Sequence, residues 1–235
     1  QAGGIGQPVP GADLCRLLSH MGVYCIAHIN RSNLLLLYVR MIRDETELSV
    51  CVSFGLLGER QYRRLKEAGV SRVHNNLETS RRYFPSICTT HTFEDKIRAI
   101  RAAQSAGLSV CSGGIMGLGE EAEDRIDMAL TLRELGIKSV PVNLMNPIPG
   151  TPLADNRRLT KEELERIVAV FRFILPDASI RLAGGRGILE DKGRGCFRSG
   201  ANAAISGDML TTAGITVEQD MEMLKELGYR TRYGK

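Results

Sequence analysis

Tryptophan is absent from this chain, and aromatic residues make up only 5% of its 235 positions. Surfaces that bind nucleic acid combine clustered basic residues with aromatic stacking platforms. Here the basic residues are scattered and the formal charge is a mild +4, so a nucleic-acid face is excluded. No apolar stretch approaches the ~20 residues of a membrane span. The leucines from Leu34 to Leu37 come nearest, and Arg40 and Arg43 cut that run short. The first residues lack a basic start followed by an apolar core, so no secretory leader is expected and the cytoplasm is the expected compartment. Six cysteines, at positions 15, 25, 51, 88, 111 and 196, lie too far apart for a disulfide scaffold. No CxxC, CxxxCxxC, GxGxxG or P-loop spacing occurs, so neither a cysteine-cage metal site nor a phosphate cradle is signalled.

What the chain does have is a recurring alternation in its short apolar runs. Residues 48–54, 73–79, 108–113, 140–145 and 180–184 read as strands, and 203–209 as a sixth. In each of the first five, aliphatics take one parity and a chemically capable residue takes the other. Cys51 lies between Val50 and Val52. His74, Asn76 and Glu78 alternate with Val73 and Leu77, and Ser109 and Cys111 with Leu108 and Val110. Asn143 lies between Val142 and Leu144, and Arg181 between Ile180 and Leu182. Because strand side chains alternate faces, two thiols, two amides, a carboxylate and a guanidinium share the non-aliphatic face.

Helices separate these runs. Residues 59–68 form one, with Tyr62 and Leu65 inward and Gly69 as its stop. Thr92 with Asp95 opens the next as a capping pair, with Phe93, Ile97 and Ile100 as its stripe. Residues 121–135 form a third, with Ile126, Ala129 and Leu130 as its apolar positions. Thr160 with Glu163 caps another, whose Leu164, Ile167, Val168 and Phe171 recur at helical spacing, and Thr216 with Gln219 opens the last. Repeated strand–helix units imply parallel strands with right-handed crossovers. A doubly wound sheet buries both faces and reads as continuous aliphatic. The polar-capable parity therefore favours an incomplete (β/α) TIM-type barrel of about six strands, two short of eight. The first 36 residues do not join this grammar. They either fold irregularly against the barrel or are not the natural start of the domain.

The shared face has definite chemistry. Two thiols from different strands suit a soft metal or an iron–sulfur cluster. A guanidinium beside them neutralises thiolate charge or grips a carboxylate, having no acceptor of its own. Asn76 and Asn143 each offer a donor and an acceptor, suited to a cyclic urea, an amide or a nucleobase, or simply to each other's company. Glu78 could hold a ribose diol. The loop 111–120, with Gly113, Gly114, Gly117 and Gly119, permits close backbone approach to a ligand or serves as a flexible turn. A Schiff-base aldolase using Lys96 is disfavoured, since Lys96 lies within an amphipathic helix rather than at a strand end.

With these residues laid out, the chain resembles biotin synthase, a radical S-adenosylmethionine (SAM) family. The resemblance rests on His74-Asn-Asn-Leu-Glu-Thr-Ser80, Cys88-Thr-Thr-His-Thr92, Val110-Cys-Ser-Gly-Gly-Ile-Met-Gly-Leu-Gly-Glu120, Val140-Pro-Val-Asn143, Gly150-Thr-Pro-Leu153, Ile180-Arg-Leu-Ala-Gly-Gly-Arg186 and Gly200-Ala-Asn202 through Leu210-Thr-Thr212. It covers residues 37 to 235. It implies a SAM-dependent barrel with a C-terminal region associated with biotin and thiamin synthesis, which inserts sulfur into dethiobiotin. It further implies a 2Fe-2S donor cluster held by three cysteines and an arginine, with Cys51 and Cys111 on two of those cysteine positions and Arg181 on the arginine. Asn76 and Asn143 match positions that contact the ureido ring of the substrate. Glu78 matches the acid that holds the SAM ribose, and Lys96 stands where some relatives carry an arginine for the SAM carboxylate. Gly113, Gly114, Gly117 and Thr151 fall on the SAM side. A reductant protein such as flavodoxin or ferredoxin and a homodimer are further implications.

The chain also departs from that family. The CxxxCxxC that ligates the SAM-cleaving 4Fe-4S cluster is missing, and Cys15 and Cys25 have the wrong spacing. The third donor-cluster cysteine is absent from the matching part, where Cys88 could be an added ligand. Residues 1–36 read as an unrelated replacement, as from a truncated or frame-shifted reading frame. A non-catalytic remnant that binds SAM or dethiobiotin is therefore the competing expectation.

Overall fold

The computed structural model describes residues 34–207 and 215–230. Residues 1–33, with Cys15 and Cys25, and residues 208–214, with the end of the sixth expected strand and Leu210-Thr-Thr212, lie outside them. The described chain divides into two compact units, one running up to Asn75 and including Ile97–Val110, the other comprising Asn76–Lys96 and Cys111 onward.

The first unit opens with helix α1 (Leu34–Glu45), which the alternation did not foretell. Four consecutive leucines carry no period, yet Leu36 and Val39 are buried while Leu37 stays half exposed, a three-residue spacing that makes one helical face. Strand β1 (Val50–Val52) pairs in parallel with β2 (Val70–His74), placing Val50 opposite Val70 and Cys51 opposite Arg72. Helix α2 (Glu59–Ala68) buries Tyr62, Leu65 and Ala68. It starts at Gly58, whose N–H donates to Gln61 Oε1 at 2.8 Å. It stops at Gly69, where φ of +114° suits glycine and the N–H returns to the Leu65 and Lys66 carbonyls. The run read as a strand over 73–79 ends at His74 in the structure, and further on the chain takes a left-handed turn at Glu78, where φ is +71°.

In the second unit a short helix α3 (Phe84–Ile87) precedes the first turn of α4 (Phe93–Ser105), whose residues from Ile97 on belong to the first unit; its start is fixed by Thr92, whose N–H donates to Asp95 Oδ2 at 2.8 Å and whose Oγ1 accepts from the Asp95 N–H at 3.2 Å. The run read as one strand over 108–113 is two short ones, β3 (Ser109–Cys111) and β4 (Gly114–Met116). Strands β5 (Ser139–Leu144), β6 (Ser179–Leu182) and β7 (Ala203–Ala204) follow. Within this unit Cys111 pairs with Ser139, β4 with β5, β5 with β6 and β6 with β7, all in parallel. Helices α5 (Ala122–Glu134), α6 (Lys161–Ile174) and α7 (Arg194–Arg198) make the crossovers, and α8 (Val217–Glu226) closes the described chain.

Helix α6 buries Leu164, Ile167, Val168 and Phe171 as its spacing predicts, and Thr160 and Glu163 form a reciprocal cap. Helix α5 departs from expectation. Ile126 is exposed, and the buried face is Asp124, Met128, Ala129 and Leu132. The i, i+4, i+8 row that starts at Asp124 faces inward because that carboxylate finds partners there, described below. Arg172, in the last turn of α6, donates through Nη1 to the Leu175, Pro176 and Ala178 carbonyls at 2.9–3.0 Å and through Nε to Gly200 O at 2.9 Å. One side chain thus satisfies carbonyls that the helix end and the following turn leave open.

Candidate functional site

In the second unit the guanidinium Nη1 of Arg181 lies 3.8 Å from the Sγ of Cys111. The two come from β6 and β3, with β5 between them, so the contact spans three strands of one sheet. Cys111 is buried and Arg181 half-buried. Cys51, the other thiol of the predicted set, is exposed on β1 in the first unit, on the opposite parity to buried Val52. None of Cys51, Cys88, Cys111 and Cys196 is in a disulfide. Among the described residues no group of three or more histidine, cysteine or acidic side chains is arranged to hold a metal ion. A thiolate at Cys111 beside Arg181 fits two members of a cluster donor set. The three closely spaced thiolates that a SAM-cleaving cluster needs are not in the sequence, so the residues present do not fit that group.

The two predicted amides both brace backbone. Asn76 Oδ1 accepts from the Gly113 N–H at 3.0 Å and its Nδ2 donates to Glu78 Oε2 at 3.4 Å. Asn143 Oδ1 accepts from the Gly184 N–H at 3.0 Å and its Nδ2 donates to Gly114 O at 3.1 Å. Each amide keeps one N–H and one acceptor lone pair uncommitted among the described residues. Burial pushes the Glu78 carboxyl above its ordinary value, partly offset by the charge of Lys96 and the hydrogen bond from Asn76. Glu78 and Lys96 are thus an acid and a base that feel one another in a half-buried setting.

The glycine loop is shaped by its neighbours. A Cβ on Gly113 would lie 1.9 Å from Pro141 O, and one on Gly114 would lie 2.5 Å from both Glu78 O and Met128 Sδ. These two glycines are therefore required by the approach of protein backbone, whatever ligand they also admit. The Gly113 carbonyl accepts from the Leu77 and Glu78 N–H groups, which interrupts the strand between β3 and β4. Gly117 (φ +97°) donates its N–H to Glu120 Oε1, which also receives Arg125 Nε at 2.7 Å. Glu120 Oε2 is buried with no partner among the described residues. Thr151 is exposed, and its hydroxyl donates to Ile148 O at 2.7 Å.

Two arrangements escaped the sequence reading. Ser80, fully buried, donates to Asp124 Oδ1 at 2.6 Å, and Arg82 reaches both oxygens of the same carboxylate at 3.0 and 2.5 Å. Burial raises the Asp124 carboxyl, but bonds from Ser80, the Glu121 N–H and Arg82, with the Arg82 charge, outweigh it and hold it below its ordinary value. Arg186, last residue of the Ile180–Arg186 motif, donates to Asp220 Oδ2 at 2.6 Å, both side chains being only 4% exposed. These partners are 44 and 34 residues apart in sequence, and the only local signal was a charged residue on an otherwise inward helix row. Cys88 contacts Thr90 Oγ1 and His91 Nδ1, and the Thr90 hydroxyl chiefly holds its thiol below the usual range.

Comparison with known proteins gives this arrangement a context. Residues 26–133 match the model of the Radical SAM superfamily, and residues 141–230 match the Biotin and Thiamin Synthesis associated domain. Biotin synthase of Brachyspira hyodysenteriae is 60% identical over 192 residues, which are 82% of this chain and 58% of that protein. Biotin synthase 2 of Corynebacterium diphtheriae is 61% identical over 191 residues, 81% of this chain and 58% of that protein. The chain thus spans somewhat over half the length of the curated relatives it matches. Among solved structures, methylornithine synthase superposes with a TM-score of 0.71 at 21% identity, covering 88% of this chain and 66% of that one. The FeFe-hydrogenase maturase HydG from Carboxydothermus hydrogenoformans follows at 0.68 and 16% identity, covering 87% and 51%. The fold is that of an incomplete (β/α) TIM-type barrel, its six parallel strands being those above with β3 and β4 as two halves of one. On sequence, about four fifths of the chain is similar to biotin synthases.

Proposed function

We propose that this chain carries the substrate-holding side of a biotin synthase, in which radical SAM chemistry inserts sulfur into dethiobiotin. The observation that carries this reading is the 3.8 Å contact between Cys111 and Arg181, a thiol and a guanidinium meeting across three strands. A 2Fe-2S cluster, when bound, supplies the sulfur atom. Cys111 would ligate it and Arg181 would stand beside it as the family's unusual cationic partner; for Cys51, in the first unit, the ligand role rests on the family resemblance alone. Asn76 and Asn143 are proposed to receive the ureido ring through their uncommitted N–H and carbonyl lone pairs. Glu78 is proposed to hold the SAM ribose diol and Lys96 its carboxylate, with Gly113, Gly114, Gly117 and Thr151 beside the nucleoside. The residues 37–235 form the family portion in this proposal. A reductant such as flavodoxin or ferredoxin and a second copy of the chain are its proposed protein partners. The cytoplasm is the compartment proposed for it; no described helix is long and apolar enough to cross a membrane.

A second reading is a chain that binds SAM or dethiobiotin without cleaving SAM. Anaerobic reconstitution with iron and sulfide separates the two. Cluster absorbance that disappears in Cys111→Ala, dethiobiotin binding that weakens in Asn143→Ala, and 5′-deoxyadenosine released from SAM and dithionite would together support the synthase. The first two without the third would support the binding-only chain. Loss of none of these signals on substitution, or no binding at all, would overturn both.

A further inference from the structure

Glu78 is one of two non-glycine residues with positive φ among those described, at +71°. A glutamate in this region is strained and persists only where its surroundings over-determine it. On its own backbone the fixings are few. The Glu78 N–H donates to Gly113 O at 3.2 Å and its carbonyl accepts from the Ile115 N–H at 2.9 Å. The side chain has the 3.4 Å bond from Asn76. The strongest fixings lie just downstream. Ser80 Oγ donates to Asp124 and accepts from the Tyr83 N–H at 3.0 Å, and Ser80 O accepts from the Phe84 N–H at 3.0 Å. Tyr83 then reaches back with its hydroxyl to Leu118 O at 3.0 Å, inside the glycine loop. The turn after Glu78 is therefore pinned at one end to helix α5 and at the other to the loop 113–120.

Asp124 is the centre of that clamp. Its side chain is 1% exposed, and its two oxygens take four donors: Ser80 Oγ, Arg82 Nε and Nη2, and the Glu121 N–H at 2.9 Å. All four need an acceptor, so neither orientation of an asparagine amide satisfies them. Among the described residues Asp124 makes no hydrogen bond to Glu78, so it acts through the turn. We propose that Asp124 is a positioning residue, which through Ser80 and Arg82 holds the left-handed turn that aims the Glu78 carboxylate at its ligand. The ligand part of this inference rests on the proposed role of Glu78 with the SAM ribose; the aiming of the carboxylate does not.

The test uses the full chain as wild type, Asp124→Asn, Ser80→Ala and Glu78→Gln. Carboxyl ¹³C resonances of labelled glutamates are titrated, with Glu78 assigned as the signal missing from Glu78→Gln, and SAM binding is measured by calorimetry. Wild-type Glu78 titrates above the solvent-exposed glutamates. In Asp124→Asn and Ser80→Ala that titration moves back toward the ordinary range, and SAM affinity falls about tenfold, the worth of one well-placed hydrogen bond. A merely structural clamp would lower the unfolding midpoint and leave both readouts in place at temperatures where the variants are folded. An unmoved Glu78 titration in the folded variants overturns the proposal. SAM binding that is lost in Glu78→Gln but retained in the other two also overturns it, while leaving the reading of Glu78 intact. A moved titration in a chain that binds no SAM keeps the positioning role and overturns that reading instead. If Asp124→Asn does not fold, Ser80→Ala, which removes a single oxygen, carries both measurements.

Discussion

Replacing Arg186 with methionine removes one member of a buried ion pair and leaves the other in place. Arg186 and Asp220 are each 3% exposed as residues, with Nη2 and Oδ2 2.6 Å apart. After the substitution Asp220 retains only the Ser206 hydroxyl on Oδ2, and Oδ1 already lacks a partner among the described residues. Breaking a buried pair from one side costs about 3–5 kcal/mol, because the remaining charge is desolvated and uncompensated. Asp220→Leu faces the mirror situation, with the guanidinium left to the Ile205 carbonyl at 3.4 Å, and its expected cost is also about 3–5 kcal/mol. The double variant Arg186→Met/Asp220→Leu buries no charge, so it should lie within about 1–2 kcal/mol of wild type. Additive singles would instead place it about 6–10 kcal/mol down, comparable to the whole stability of a domain. The assay is urea unfolding followed by far-ultraviolet circular dichroism, since the chain offers no tryptophan signal. The exposed pair Arg194–Glu226 serves as the control, and Glu226→Gln should cost at most about 1 kcal/mol. Single variants that each lose under about 1 kcal/mol, or a double that loses their sum, would refute the reasoning.

Three further expectations are independent of it. Gly113→Ala drives a methyl to within 1.9 Å of Pro141 O, an atom that cannot rotate away, so it should destabilise by about 3 kcal/mol or more in the same urea assay; a near-neutral result would show that β5 yields. Glu163 is held down to about 2, first by Arg157 and then by the Thr160 N–H, so its contribution is complete above the unfolded carboxyl value of ~4.3 and disappears as pH falls toward 2. The stability gap between wild type and Glu163→Gln should accordingly be widest near neutrality and close in acid, and a gap that widens in acid would reverse the sign. Cys196 is pushed up to about 12 by burial and then by the charges of Asp191 and Glu165, whereas the Cys88 thiol is held low. Peptide mapping after brief iodoacetamide treatment at pH 7 should find Cys88 modified and Cys196 protected until the chain is unfolded; equal labelling would count against this.

Local signals carried the secondary structure well where the physics is local. The reciprocal Thr160–Glu163 cap and the Gly69 stop depend on residues three or four apart, and the Leu164–Phe171 stripe on helical spacing alone. The encounter of Cys111 with Arg181 was legible because both stand opposite their aliphatic neighbours on strands that the strand–helix rhythm places in one sheet. The parity argument failed beyond His74, where the strand is over and Glu78 takes a left-handed conformation that no composition signal marks. It was equally silent about Gly113 and Gly114, where the requirement for glycine comes from Pro141 and Glu78 in other segments. The Asp124 clamp and the Arg186–Asp220 pair were illegible because a buried charge is recognised only by a partner that folding brings from afar. Helix α1 was missed for a different reason, its leucine run being too uniform to show a face.

The bracing of Asn76 and Asn143 against the main chain has a consequence for the recognition proposed for them. An asparagine that swings freely must surrender rotamer freedom to each guest, about 0.5–1.5 kcal/mol per immobilised side chain. Both amides here are already ordered by Gly113, Glu78, Gly184 and Gly114 before any guest arrives. Their remaining donor and lone pair keep set directions, so a planar ring with matching edges meets an ordered counterpart. A ring-opened analogue with the same atoms but no fixed plane would have to supply all the ordering itself.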